Sequence, residues 1–209
     1  MVNEKMSFII VLVGVSGSGK STLKKHAIEK ISDISNMIAV TNRMARTTEQ
    51  NGIDKLFYSN YEFNKAVLSG ELCLINKVYG NMYAFRVSDF ISGGTYLTEL
   101  HYKNYNDFIN YNSNTVNIYI RPSNIIFAQT GIYSRGATQK EIDSRINSLQ
   151  QEHNTLEQLA KNGFFDYTFI NDYTDTSVQE FIELIKDIID NRSNIYENKK
   201  STTAYNNQS

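Results

Sequence analysis

An apolar run that ends in a glycine-rich motif constrains this chain more than any other feature. Residues 8–13 are uniformly apolar, and the next eight read Gly14-Val-Ser-Gly-Ser-Gly-Lys-Ser21, a complete G-x-x-x-x-G-K-S sequence. The run is typical of a strand buried on both faces. Leu23, Ala27 and Ile31 follow at the four-residue spacing of one helix face. A glycine-rich loop between a strand and a helix directs backbone N–H groups at phosphate, so the sequence predicts a nucleotide-phosphate site.

Two side chains in this motif carry specific expectations. Lys20 is predicted to reach the β- and γ-phosphate oxygens, and the Ser21 hydroxyl is predicted to bind Mg²⁺. The glycines let the backbone curl around the phosphates, because they adopt conformations that other residues avoid.

Composition limits the other classes of function. A chain of 209 residues can build one core, or one core with an inserted subdomain. The 21 Lys and Arg residues against 22 Asp and Glu give a net charge of −1, so no basic field exists to hold nucleic acid or an anionic membrane. Cys73 is the only cysteine, which excludes an internal disulfide and a multi-cysteine metal site. No apolar segment approaches 18 residues, and no signal peptide precedes Phe8, so we expect a soluble cytoplasmic protein whose oligomeric state stays open.

The order of predicted elements indicates an α/β fold with a parallel sheet. Strand patterns occur at residues 37–40, 95–100, 115–120 and 165–170, and helix patterns begin near Pro122, at the capping box of residues 138–141, and at residue 177. Short runs flanking Gly80-Asn81 and a helix over residues 61–68 predict an inserted antiparallel subdomain. We therefore expect a core of residues 1–40 and 95–190, an insert of 41–94, a lid at about 130–140, and a disordered polar tail of 191–209.

Further short motifs follow the glycine-rich loop in a fixed order. They are the segments Ala39-Val-Thr-Asn-Arg-Met-Ala-Arg-Thr-Thr-Glu-Gln-Asn-Gly52, Gly80-Asn-Met-Tyr-Ala84, Arg121-Pro-Ser123, Ser134-Arg-Gly136, Ser144-Arg-Ile146 and Asn171-Asp172. From about residue 8 to about residue 190, this order resembles the guanylate kinase family. The corresponding family motifs are S-x-T-T-R-x-P-R-x-G-E-x-x-G, G-N-x-Y-G, P-P-S, G-R-G, K-R-L and N-D-D, after a loop of the form G-x-S-G-x-G-K-S-T-L.

The resemblance implies a P-loop NTPase-type parallel sheet flanked by helices, an inserted mixed α/β subdomain that binds the acceptor, and a small helical lid. It implies ATP-dependent transfer of a phosphoryl group to GMP, dGMP or a related nucleoside monophosphate, with Mg²⁺ bound at Ser21. The implied ATP-binding residues are Gly14, Val15, Ser16, Gly17, Ser18, Gly19, Lys20, Ser21, Thr22 and Asn171. The implied catalytic residues are Lys20, Arg135 and Arg145, and the implied acceptor-binding residues are Arg43, Arg46, Lys55, Tyr83 and Glu99.

These residue types suit phosphoryl transfer, which requires in-line positioning and neutralisation of charge. Arg43 and Arg46 are predicted to clamp the acceptor phosphate with the Tyr83 hydroxyl as a third donor. Arg135 and Arg145 flank a polar segment suited to a mobile lid. Glu99 ends a predicted strand, where it would position metal-bound water or orient an arginine, and His101 competes with it in the alignment. The ordinary alternatives are solvated surface arginines and a tyrosine that only packs.

Several positions depart from the family. Ala39, Leu74 and Phe85 stand where the family has a serine, a guanine-reading carboxylate and a hydroxyl, and Lys55 replaces a phosphate-contacting tyrosine. Guanine N1–H and N2–H groups facing Leu and Phe would lack acceptors, at about 1–3 kcal/mol each, so we expect weak discrimination between bases. Two alternatives follow: a kinase of phosphorylated sugars resembling the ribose bisphosphate phosphokinases, and a non-catalytic protein-binding module, against which the intact loop argues.

Overall fold

Two β-sheets organise the computed structural model, which describes residues 6–78, 80–133 and 138–193. The strands are β1 (Phe8–Val13), β2 (Ser35–Asn36), β3 (Val40–Thr41), β4 (Leu56–Phe57), β5 (Leu72–Val78), β6 (Asn81–Arg86), β7 (Thr95–Glu99), β8 (Thr115–Pro122) and β9 (Tyr167–Asn171). The helices are α1 (Lys20–Lys30), α2 (Asn60–Leu68), α3 (Val87–Ile91), α4 (Tyr105–Tyr111), α5 (Ile125–Tyr133), α6 (Gln139–Lys161) and α7 (Asp175–Asp190).

The first sheet has the strand order β2-β7-β1-β8-β9, and every neighbouring pair is parallel. All six residues of β1 are buried, because helices cover both faces of the sheet. Successive side chains of a strand point to opposite faces. Ile10 and Leu12 accordingly pack with α1 and α7, whereas Ile9 and Val11 pack with α3, α4, α5 and α6. The predicted parallel α/β fold is confirmed.

The second sheet is mixed, with the order β4-β3-β6-β5. β3 and β4 are parallel, whereas β3 with β6 and β5 with β6 are antiparallel, and β5 and β6 form the predicted hairpin at Gly80-Asn81. Phe63 and Ala66 of α2 pack against this sheet in a small separate core. Ala39 and Phe85 instead join the core of the first sheet, so the two sheets meet along one side of the molecule.

Some local predictions were wrong. Residues 37–40 are not one strand, because β2 ends at Asn36 in the first sheet and β3 begins at Val40 in the second. Met37 and Ala39 are buried in the connection, and this burial explains the apolar run. The helix predicted near Pro122 is present as α5, which begins at Ile125, and Pro122 itself ends β8. Helices α3 and α4 were not predicted, since they have five and seven residues and show little periodicity.

The first sheet positions the functional loops. Because its strands are parallel, their carboxyl ends lie at one edge, where α/β proteins bind ligands. The glycine-rich loop follows β1, Glu99 ends β7, and Asn171 ends β9. Arg135, part of the predicted lid and residues 194–209 of the predicted tail lie outside the described residues. Within the described ranges, no helix combines the length and apolar character needed to cross a membrane.

Candidate active site

The glycine-rich loop is shaped by close packing as well as by its sequence. Gly17 and Gly19 have φ angles of 84° and 88°, in the left-handed region that favours glycine. A Cβ atom on Gly17 would overlap the Ala128 carbonyl of α5, and one on Gly19 would overlap the Asn171 side chain. A side chain at either position would therefore force the loop away from α5 or β9.

Lys20 lies at the centre of this loop. Its Nζ donates to the carbonyl oxygens of Gly14 and Val15, both at 2.8 Å, and to Ser18 Oγ at 3.2 Å. The ammonium therefore lies among the backbone groups that the sequence assigns to phosphate binding. This position fits the predicted contact between Lys20 and the donor phosphates.

The loop after β9 supports the glycine-rich loop from behind. Asn171 is buried, and its Nδ2 donates to the Ser18 carbonyl at 2.9 Å. The Tyr173 hydroxyl donates to the Gly17 carbonyl at 3.0 Å, and Tyr173 itself has a φ of 66°, uncommon for a bulky residue. The structure thus places Asn171, a predicted ATP contact, where it holds the loop backbone.

Glu99, the last residue of β7, contacts two side chains in the first turns of α1. Its Oε2 accepts a 3.0 Å bond from Ser21 Oγ, and its Oε1 lies 3.1 Å from Lys24 Nζ. Burial alone would raise the pKa of this carboxyl, but the ammonium groups of Lys24, Lys55 and Lys20 hold it well below its usual range. An ionised carboxylate beside a hydroxyl is the oxygen-donor type that Mg²⁺ prefers, so these residues fit the ion. His101 lies instead 3.9 Å from Glu152 of α6.

The predicted clamp residues do come together, around a carboxylate that the sequence analysis did not single out. Arg43 is 6% exposed, and its Nη1 and Nη2 each donate to one oxygen of Glu49 at 2.8 Å. Arg43 Nε also donates to the Tyr83 hydroxyl at 3.3 Å. The Arg46 backbone N–H donates to Glu49 at 2.9 Å. Glu49 therefore fixes both arginines in place, as its six- and three-residue spacings from them would allow.

The electrostatics of the clamp follow from this geometry. Burial alone would raise the pKa of Glu49, but its bonds with Arg43 and with the Arg46 backbone lower the pKa to about 2. Burial lowers the pKa of the Lys55 ammonium, an effect that the Glu99 charge opposes. The charges of Lys24 and Arg43 also act on Lys55, which lines the same cavity as the loop and the clamp.

One cavity of about 640 Å³ joins the loop and the clamp. Arg145 of α6 lines it, and Arg145 Nη1 donates to Ser16 Oγ of the loop at 3.3 Å. The predicted site residues that line the cavity are Gly14, Ser16, Lys20, Ser21, Arg43, Arg46, Lys55, Tyr83, Glu99 and Arg145. The structure thus brings most of the described candidates to one cavity and leaves Asn171 behind the loop.

Several cavity residues were not predicted from the sequence. Lys24 lies one helical turn after Lys20, a spacing that would have suggested a shared face. The lining contains Ala39, Leu74 and Phe85 of the predicted base site, and it also contains the polar side chains of Asn76, Asn104 and Glu152 together with His101, the competing match for Glu99.

The chain is similar in sequence and fold to known guanylate kinases. A family model described as guanylate kinase matches residues 6–188. The guanylate kinase of Wolbachia sp. subsp. Brugia malayi is 25% identical over 191 residues, which cover 88% of this chain and 95% of that protein. That of Rubrobacter xylanophilus is 27% identical over 186 residues, covering 87% and 94%. The crystal structure of guanylate kinase from Anaplasma phagocytophilum has the same fold, with a TM-score of 0.64 at 22% identity over 88% of this chain and 85% of that one.

Proposed function

The chain belongs to the guanylate kinase family, and we propose that it transfers the γ-phosphoryl group of ATP to GMP or dGMP in the cavity between the glycine-rich loop and the second sheet. The observation that carries this proposal is that one cavity is lined both by Lys20 of the loop and by the Arg43–Arg46–Tyr83 clamp. A donor phosphate and an acceptor phosphate would therefore meet within a single cavity.

On the donor side, loop N–H groups and Lys20 would hold the phosphates of ATP. Ser21 and Glu99 are the residues that would hold Mg²⁺, directly or through water, since they present a hydroxyl and an ionised carboxylate. When bound, the ion would supply positive charge to the phosphate oxygens. Lys24, Lys55 and Lys20 together hold the pKa of Glu99 below its usual range, and Lys24 also forms an ion pair with this carboxylate.

On the acceptor side, Arg43, Arg46 and Tyr83 would donate to the phosphate of the nucleoside monophosphate. Glu49 holds the Arg43 guanidinium in one orientation before substrate arrives, which reduces the entropy that binding would otherwise cost. Lys55 would add a cation between the two phosphates, in place of the family's tyrosine.

Transfer would then depend on charge and alignment. The transferring phosphoryl group carries charge on its equatorial oxygens. Arg145 contacts the glycine-rich loop through Ser16, so its guanidinium lies beside the position expected for the γ-phosphate. We assign Arg145, and Arg135 by resemblance, the stabilisation of that charge in the transition state.

The two alternatives are not favoured. A protein-binding module has no need of a complete phosphate loop opposite a preformed phosphate clamp. A sugar-phosphate kinase would share the phosphate-binding groups, but the family match is to guanylate kinases over residues 6–188. We also propose a cytoplasmic setting, because the one cysteine forms no disulfide.

An ADP-release assay with a panel of acceptors tests the proposal. The wild-type protein, with ATP and Mg²⁺, should release ADP with GMP and dGMP, and far less with ribose phosphates or with no acceptor. Arg46→Gln should raise the KM for GMP at least tenfold, since it removes one charged donor. Lys65→Gln, which removes an exposed charge from α2, is the matched control and should leave KM unchanged. Equal ADP release with ribose phosphates and GMP would contradict the proposal.

A further inference from the structure

Building on the proposed function, we infer that Glu152 of α6 reads the guanine base of the acceptor and that His101 positions its carboxylate. Glu152 is a specificity-determining residue in this account, and His101 is a positioning residue. The sequence did not point to Glu152, and it pointed to His101 only as a competing match for Glu99.

Guanine needs a hydrogen-bond acceptor at the base end of the cavity, by which we mean the lining by Ala39, Leu74 and Phe85. Guanine presents two kinds of donor along one edge, the N1–H and the N2 amino group. Leu74, Phe85 and Ala39 line this part of the cavity and offer no side-chain acceptor. A donor buried there without a partner loses the free energy of its bond to water. Preference for GMP over other purine nucleotides therefore requires another residue.

The position of Glu152 on α6 suits this role. It follows Arg145 by seven residues, so both lie on one face of the helix, separated by about 10 Å along its axis. Arg145 contacts the glycine-rich loop, and Glu152 lines the same cavity further along. Leu149 and Leu156 flank Glu152 and are both 1% exposed, in the cluster that contains Phe85. The helix thus presents a cation at the phosphate end and a carboxylate at the apolar end.

The other cavity groups suit guanine less well. Glu49 is held by the clamp arginines, and Glu99 by Ser21 and Lys24. Asn76 faces the cavity opposite Tyr83, but its Nδ2 is bonded to the Leu74 carbonyl and its amide has one acceptor oxygen. A carboxylate has two acceptor oxygens and takes two adjacent donors at once.

His101 is held in one orientation that faces Glu152. Its Nδ1 accepts from the Lys103 backbone N–H at 3.4 Å, and Nε2 is the ring nitrogen that faces Glu152. The ring stacks on Tyr102, with centroids 4.7 Å apart. Nε2 then lies 3.9 Å from Glu152 Oε1, beyond hydrogen-bond length but close enough to attract the carboxylate. This attraction orients Glu152 towards the base end.

Three nucleoside monophosphate substrates distinguish the contributions of the two hydrogen-bond donors of guanine. GMP has both donors, IMP has only N1–H, and AMP has neither. We would measure kcat/KM for each with wild type, Glu152→Gln, His101→Phe and Asp143→Asn. The last removes an exposed carboxylate from the same helix outside the cavity and is the charge-matched control. His101→Phe keeps an aromatic ring to stack on Tyr102.

Glu152→Gln should lower kcat/KM for GMP by roughly 10- to 100-fold, for IMP by less, and for AMP by no more than about twofold. His101→Phe should lower the GMP:IMP ratio by about threefold, and Asp143→Asn should match wild type. Equal losses for all three acceptors would assign Glu152 a structural role and overturn the inference, as would an unchanged GMP:IMP ratio. If Glu152→Gln does not fold, the GMP:IMP ratio of kcat/KM in His101→Phe is measured instead, and an unchanged ratio would overturn the inference. A wild type that uses AMP as well as GMP would count against the proposed function itself.

Discussion

Replacing Glu49 by Gln perturbs the central carboxylate of the acceptor clamp. Glu49 is bonded by both terminal nitrogens of Arg43 at 2.8 Å and by the Arg46 backbone at 2.9 Å, and its side chain is 13% exposed. Its pKa falls from 4.5 to about 2 in the folded protein. At about 1.4 kcal/mol per pKa unit, this difference is worth about 3 kcal/mol of folding free energy at neutral pH. Removing one partner of a buried ion pair costs a similar amount, about 3–5 kcal/mol.

The pH dependence follows from the direction of the change in pKa. Because the folded pKa is lower than the unfolded one, the stabilisation is fully present above about pH 4.5 and is lost as the pH falls towards 2. Urea denaturation at pH 6 and pH 3 would measure the free energy of unfolding of wild type and Glu49→Gln. The difference between the two proteins should be about 3 kcal/mol at pH 6 and should shrink by about 2 kcal/mol at pH 3.

Comparing wild type and Glu49→Gln at each pH cancels the contribution of the other carboxylates to the free energy of unfolding, because those groups titrate in both proteins. Glu183→Gln is the matched control, because Glu183 forms an exposed ion pair with Lys186 and should change stability by less than about 1 kcal/mol. A difference between wild type and Glu49→Gln that is the same at both pH values would show that the lowered pKa of Glu49 does not stabilise the fold. Glu49→Gln should also raise the KM for GMP more than the KM for ATP, since the clamp holds the acceptor.

Three further predictions concern Lys20 and Lys24 of α1 and Arg145 of α6. Lys20→Ala should fold but lose turnover, and a folded variant that keeps most of its ATP-dependent activity would exclude this loop as the donor site. Arg145→Ala should lower kcat about 100-fold or more with little change in the acceptor KM, whereas a raised KM at constant kcat would show that Arg145 only binds substrate. Lys24→Met should lower the Mg²⁺ concentration needed for half-maximal activity, because Glu99 loses a competing cation; a higher requirement would contradict this.

The features that the sequence predicted correctly are those encoded locally. The glycine-rich loop depends on glycines at fixed positions, and β1 is a continuous apolar run buried on both faces. The hairpin at Gly80-Asn81 is likewise specified by neighbouring residues. The strand predicted at residues 37–40 was wrong for a physical reason. A buried connection is as apolar as a strand, and only the pairing of its ends with two different sheets distinguishes it from one.

The parts of the site that were missed depend on contacts distant in sequence or on the path of a loop. The role of Glu49 in the clamp depends on the path of the chain between residues 43 and 49, which brings its carboxylate to Arg43 and to the Arg46 backbone. Glu152 was missed because the direction of α6 across the cavity is set by packing of Leu149 and Leu156. Lys24 is unremarkable in the sequence, and its importance comes from Glu99, which belongs to a strand 75 residues away.

Reaction of donor and acceptor in one cavity can be followed by ³¹P NMR of the protein with ATP, Mg²⁺ and GMP. We expect ADP and GDP to appear in equal amounts, with no inorganic phosphate, and Lys20→Ala to produce neither. Conversion of ATP to ADP and inorganic phosphate while the GMP signal persists would contradict this expectation.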